Sequence, residues 1–231
     1  MRKYLIIYII IISILLGQRP EKNEIITERH PNGLKKLVMV FEGSGLNETL
    51  IGKYGFYENG LKRFVELYNN NLKNGKSIYW YENGQKKEEG TLKDGKHHGL
   101  ITGWYENGQK KVEGNYKDGE KDGKRTKWYE NGQKKLEGTY KDGEIDGLWT
   151  KWDENGKKHS ESNWKDGKMD GLNTKWYENG QKSEEQHYKD YKLEGLSTDW
   201  YENGQKWVEG TYKDGKLISK KEWNEDGSVK E

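Results

Sequence analysis

The residues of this chain that could do chemistry are few, and most of them repeat. Histidine stands at His30, His97, His98, His159 and His187, and only His97 and His98 are neighbours. Adjacent residues on an extended strand face opposite ways, so that pair makes a poor chelate. Carboxylates recur as Glu106, Glu113, Asp118 and their equivalents, a pattern that could suit a hard cation such as calcium. Each is flanked by lysine, however, and cross-strand charge pairing with turn formation accounts for them without metal. No nucleophile, base and acid recur together, so no catalytic residue, metal or cofactor is expected. What remains is aromatic. Trp80, Trp104, Trp128, Trp152, Trp176 and Trp200 recur at intervals of 24 residues, a ladder that suits packing within a sheet at least as well as an exposed role. Trp149, Trp164 and Trp207 stand outside that series and are the residues expected to contact a partner, because tryptophan is enriched at interaction hot spots.

The elements that carry these residues are set by an internal repeat. Trp-Tyr-Glu-Asn-Gly returns with its glycine at Gly84, Gly108, Gly132, Gly156, Gly180 and Gly204, always 24 residues apart. Phe56 to Gly60 opens the series, Trp223 to Gly227 closes it as a worn copy, and Pro31-Asn32-Gly33 reads as an older one. Self-similarity of this strictness marks a repeat array and leaves little room for an embedded catalytic domain.

Each repeat contains two turn signals, Asn-Gly (Asn107-Gly108) and Asp-Gly (Asp118-Gly119), both expected as two-residue type I′ turns. Between them lie segments of β-branched and aromatic residues, one from Gln109 to Lys117 and the next from Glu120 to Glu130. Helix is excluded by glycine dipeptides that recur too often to let one propagate. The expected fold is all-β: an elongated, single-sheet antiparallel β-meander of about sixteen strands. Gly114 and Gly123 are expected to pair across the Asp-Gly turn and leave a strip for neighbouring rings, unless a bulge at Lys121-Asp122-Gly123 shifts the register. Tyr191 replaces the turn glycine after Asp190, so that turn is expected to adopt another geometry.

Composition bounds the interior. With 30% apolar and 35% charged residues the chain lies near the disordered boundary, but 13% aromatics and regularly placed glycine point to a folded array with a thin core. Net charge is +2, with 41 basic and 39 acidic residues interleaved within every repeat. No one-sided basic field of the kind a nucleic-acid partner needs is expected. Cysteine is absent, which excludes disulfides and thiolate chemistry. At the N-terminus, Arg2 and Lys3 precede an apolar run from Leu5 to Leu16, shorter than a spanning helix. Residues 1–17 are therefore read as an export signal or an uncleaved anchor, the chain's one expected membrane contact. Residues 18–29 are read as a polar linker and residues 30–231 as the array.

The stretch from Tyr116 to Gly138, Tyr-Lys-Asp-Gly-Glu-Lys-Asp-Gly-Lys-Arg-Thr-Lys-Trp-Tyr-Glu-Asn-Gly-Gln-Lys-Lys-Leu-Glu-Gly, resembles the bacterial variant of the MORN repeat, and the resemblance covers residues 54–231. Proteins of this type are similar to the YwqK-type antitoxins, which implies a toxin as partner and an immunity role. The Thr102 to Gly108 segment is also similar to the hairpins of choline- or glucan-binding repeats, whose shorter period fits less well. The expected function is a non-catalytic, protein-binding module of the bacterial cell envelope or exterior, with cell-wall carbohydrate or choline as the alternative ligand.

Overall fold

The computed structural model describes residues 22–231; the export signal or anchor expected at 1–17 lies outside them. The described residues form one open antiparallel sheet of nineteen strands in sequence order, in which the short pieces Lys96–His97 and Glu144–Ile145 pair with the same strand as the piece that follows each of them. It runs from Lys22–Arg29 against Lys35–Glu42 to Lys206–Lys213 against Lys216–Glu222. A single 3-10 turn at Gly45–Asn47 interrupts it. The linker expected over 18–29 is corrected in its second part. Lys22–Arg29 is a strand, with Ile25 opposite Met39 and Ile26 opposite Val38, so the apolar Leu37 to Phe41 segment is paired on both sides.

The two turns of a repeat differ, although both end in glycine. At Asp118-Gly119 both central residues are left-handed, with φ of 50° and 96°, which is the type I′ geometry that matches the strand twist. At Asn107-Gly108 only Gly108 is left-handed, with φ 85°. The Gly108 amide donates to the Tyr105 carbonyl at 3.0 Å and the Tyr105 amide to Gln109 at 2.9 Å. The loop is thus the three residues Glu106-Asn107-Gly108, a type I turn closed by glycine, and not the two-residue turn expected. Asn107 fixes it by accepting from the Gln109 amide at 2.9 Å.

Two further expectations are corrected. Gly123 does not face Gly114: it lies opposite Tyr140, while Gly114 lies opposite Arg125. The register shifts between Lys121 and Arg125, and Gly123, at φ 92°, is the hinge of that bulge. Tyr191 keeps the ordinary turn, with φ 46° at Asp190 and 67° at Tyr191. Its amide donates to the Met169 carbonyl at 2.9 Å, its hydroxyl to the Gly167 carbonyl at 2.5 Å, and its ring meets Trp164 edge-on at 5.9 Å. These contacts offset the cost of a side chain at positive φ.

Successive repeats are fastened at both edges of the sheet. Along the loop edge the tyrosine hydroxyl donates to the next repeat's tryptophan carbonyl, Tyr81 to Trp104 at 2.8 Å and Tyr105 to Trp128 at 2.8 Å. The loop asparagine donates to the next loop's glutamate carbonyl, Asn83 to Glu106 and Asn107 to Glu130, both at 2.9 Å. Asn32 makes the same bond to Glu58 at 2.8 Å, which identifies Pro31-Asn32-Gly33 as a true copy of the loop. Along the turn edge the Gly119 amide donates to the His97 carbonyl and the Gly143 amide to the Lys121 carbonyl, both at 2.9 Å.

No second layer covers the described sheet, and its core is correspondingly thin. Four apolar side chains are buried, Val38, Val40, Ile101 and Trp149, against ten polar or charged ones. Neighbouring strands satisfy several of the polar ones, Thr126, Thr150 and Asn173 donating to glutamates across the ladder, whereas the Ser77 hydroxyl is buried without a partner among the described residues.

Candidate partner-binding face

The alternation of side chains gives the sheet two chemically distinct faces. One carries a row in which glutamate and threonine alternate strand by strand: Glu113 lies opposite Thr102 and Thr126, and Glu137 opposite Thr126 and Thr150. The threonines are buried. Each glutamate receives a lysine three residues earlier, as in Lys110 to Glu113 at 2.5 Å and Lys134 to Glu137 at 2.9 Å. The same lysines lie over the recurrent tryptophans, Lys110 above Trp128 at 5.5 Å and Lys134 above Trp152 at 5.6 Å. The tryptophan ladder is therefore a packing device: its rings carry cations, and the cations carry carboxylates. Burial raises and the lysines lower the Glu137 carboxyl, with a net fall that keeps it ionised.

The opposite face carries the recurrent Glu-Gly glycine and, on the following strand, a residue of variable size. Ile101 lies on Gly90, Arg125 on Gly114 and Trp149 on Gly138. Where the glycine is lost the facing residue shrinks: Glu66 faces Ser77, Ser162 faces Asn173 and Gln186 faces Ser197. At the first of these the buried Glu66 accepts from Tyr68 at 2.9 Å, from Lys73 at 2.5 Å and from Tyr79. Burial opposes its ionisation, but the three donors outweigh burial and lower the carboxyl, while burial and then Glu66 push the Tyr68 hydroxyl up to about 12.

The three tryptophans singled out in the sequence lie differently from expectation. Trp149 is 8% exposed, with Tyr140 edge-on at 5.5 Å; it is a core residue, buried because Gly138 opens a slot for its ring, and as a contact residue it is corrected. Trp164 fills the slot that tyrosine holds in other repeats, Tyr116 and Tyr140 among them, so it is not outside the period. It is half-buried, and its indole N–H donates to Ser162 at 2.8 Å. Trp207 is 46% exposed and lies 6.1 Å from Tyr201. It stands where Lys87, Lys111 and Lys135 lie over Tyr81, Tyr105 and Tyr129 in other repeats. Trp149 and Trp164 share a face on adjacent strands. Trp207 is four strands further on, about 19 Å at strand spacing, so the three form no single patch.

The same face carries cations that sequence reading passed over. Lys127 and Lys151 flank Leu136 in register, and Arg125 is two residues before Lys127. The Arg125 guanidinium donates to the Tyr116 hydroxyl at 2.8 Å, and Lys121 lies over Tyr140 at 4.7 Å. The signal was present in the repeat: Lys127 and Lys151 hold the same place 24 residues apart, immediately before the recurrent tryptophan.

Six segments, residues 73–94, 98–118, 121–142, 145–166, 169–190 and 193–214, match the family described as MORN repeat variant, and together they take up more than half of the chain. The chain belongs to that family. No curated protein sequence matches it. Each matched segment of this MORN repeat variant protein spans one hairpin folded about the Glu-Asn-Gly loop, from just after one turn to the aspartate of the next.

Proposed function

We propose that this protein is a non-catalytic binding module that recognises another protein. The observation that carries the reading is the set of aromatic side chains held in fixed positions on an uncovered sheet face. Trp164 is held by Ser162 and Tyr191, Tyr116 by Arg125, and Trp207 by Tyr201. Rings that are ordered before binding lose little conformational entropy on contact, which is why such residues dominate protein interfaces. The carbohydrate alternative draws less support, because lysines already lie over the ring faces of Trp104, Trp128, Trp152, Trp176 and Trp200, where a sugar would stack. An envelope or extracellular location follows from reading residues 1–17 as an export signal, and an immunity or scaffold role is the use such a module would have there. Affinity capture on the immobilised chain tests the reading. A protein retained in stoichiometric amount and released by free chain supports it; retention on peptidoglycan or choline resin, with no protein held, overturns it in favour of the carbohydrate ligand.

A further inference from the structure

The two faces differ in how their charges are neutralised. On the threonine face Lys76 and Lys86 both reach Glu89, Lys124 and Lys134 both reach Glu137, and Lys158 reaches Glu161. At the centre of the glycine face, Lys121, Arg125, Lys127, Lys135 and Lys151 form no ion pair among the described residues. Acids close by in sequence are engaged elsewhere: Asp153 caps its own loop, accepting from the Asn155 and Lys157 amides. Asp146 accepts from the Asp166 amide at the turn edge, and Asp122 lines a cleft there with Lys96 and Lys117.

This cluster is crowded enough to perturb itself. Burial, and then the charges of Arg125, Lys121 and Lys135, hold the Lys127 ammonium below its ordinary value. An array that interleaves 41 basic and 39 acidic residues has left the centre of this face without ion pairs among the described residues, although Lys73 with Glu66 and Lys175 with Glu184 pair to either side of it.

The patch is also bounded. Along one row of the glycine face the order is Glu88, Gly103, Val112, Lys127, Leu136, Lys151, Ser160, Lys175, Glu184 and Asp199. The unpaired cations Lys127 and Lys151 lie two strand spacings apart, about 10 Å; Lys175 beyond them is paired with Glu184 at 2.9 Å, and carboxylates, Glu88 on one side and Glu184 with Asp199 on the other, end the row. A bilayer surface or a long duplex crossing the row would meet those carboxylates, whereas a partner of limited footprint would not. We infer that the centre of the glycine face, around Arg125, Lys127 and Lys151, is the docking surface for a carboxylate-rich segment of a partner protein. Arg125, fixed by Tyr116 above Gly114, is the pre-ordered anchor, and Lys127 and Lys151 provide steering charge on either side of Leu136.

This inference rests on the protein-binding reading, and its test separates the two. A fluorescently labelled poly-glutamate peptide is titrated with the full chain, with a DNA duplex and phosphatidylglycerol vesicles as parallel probes. Saturable binding that weakens with salt is expected. The double variant Lys127→Glu with Lys151→Glu should lose about tenfold in affinity or more, equivalent to about 1.4 kcal/mol, while Lys141→Glu at the turn edge should bind as the parent does. All three positions are exposed, so folding is expected to survive, and circular dichroism verifies it. Absence of saturable binding, an equal loss in Lys141→Glu, or tighter binding to duplex or vesicles overturns the assignment. If a captured protein binds the double variant undiminished, the face is wrong and the protein-binding reading stands.

Discussion

The indole of Trp149 occupies the space that a side chain at Gly138 would need: a Cβ placed on Gly138 would lie 1.9 Å from Cε3 of the ring. The same pair of positions in other repeats holds Gly90 with Ile101 and Gly114 with Arg125, or else two modest residues, as in Ser162 with Asn173. Six copies within one chain thus act as a natural series in which the two members of a pair trade volume. Gly138→Ala should destabilise the fold by about 2 kcal/mol through overpacking. Gly114→Ala should cost less, because the nearest atom is Cγ of Arg125 at 3.2 Å, a far milder approach than that of the indole to Gly138. Adding Trp149→Ser to Gly138→Ala should recover part of the loss, with a coupling of at least about 1 kcal/mol in a double-mutant cycle measured by urea unfolding. Strict additivity would dissociate the two positions.

The loop-edge ladder has one missing rung. Tyr129 donates to the Trp152 carbonyl at 2.9 Å and Tyr177 to the Trp200 carbonyl at 2.6 Å. Between them Asp153 replaces the tyrosine and instead caps its own loop, accepting from the Asn155 and Lys157 amides at 2.9 Å each. Asp153→Tyr should restore a bond to Trp176 and stabilise the array by about 1 kcal/mol. Amide exchange around Trp176 should slow in that variant; an unchanged rate would contradict the ladder's role.

Tyr191 separates backbone strain from side-chain contact. Tyr191→Ala keeps φ positive while losing the bond to Gly167 and the edge contact with Trp164, and should cost about 1 to 2 kcal/mol. Tyr191→Gly loses the same contacts but relieves about 1 kcal/mol of strain, so it should be the more stable of the two. Thermal unfolding of both variants checks the order.

Asp199 predicts a pH dependence. It lies opposite Glu184, and one of its oxygens is buried without a hydrogen-bond partner. Burial, and then the Glu184 charge, hold its carboxyl above the ordinary 3.8. An acid with a raised value binds its proton more readily in the folded state, so this contribution is favourable below the ordinary value and is lost as pH climbs through the raised one. Asp199→Asn should therefore unfold at higher urea than the parent near neutral pH, and show no such gain below about pH 3. A gain of equal size at both pH values would remove the linkage.

Much of the architecture could be read before any coordinates, because a strict period fixes where every turn falls and a meander is the simplest chain path through turns so spaced. What escaped was decided by geometry that one dipeptide does not encode. Asn-Gly can build a two-residue or a three-residue loop, and Tyr105 and Gln109 choose the latter by closing the hairpin outside it. Gly123 serves a bulge and not a pair; the bulge adds two residues between Lys121 and Arg125, so it changes partners across the sheet while leaving both on one face. Trp149 looked available because it stands outside the 24-residue tryptophan series, and only its contact with Gly138 shows why one repeat can bury an indole. Trp164 could have been placed from the sequence, since a count of 24 leads to Tyr140. Lys127 and Lys151 were hidden by the balanced overall charge, which separates by face only when the register is known.

The most direct test of the architecture is equilibrium unfolding of two deletions. Removing 110–133, one full period, rejoins Gln109 to Lys134 and preserves the order of loop, strand and turn; a cooperative transition is expected, with an m-value smaller by roughly a tenth. Removing only 110–121 joins the loop edge to the middle of a strand and should abolish cooperative unfolding. Equal loss of cooperativity in both would contradict a sheet assembled from interchangeable 24-residue hairpins.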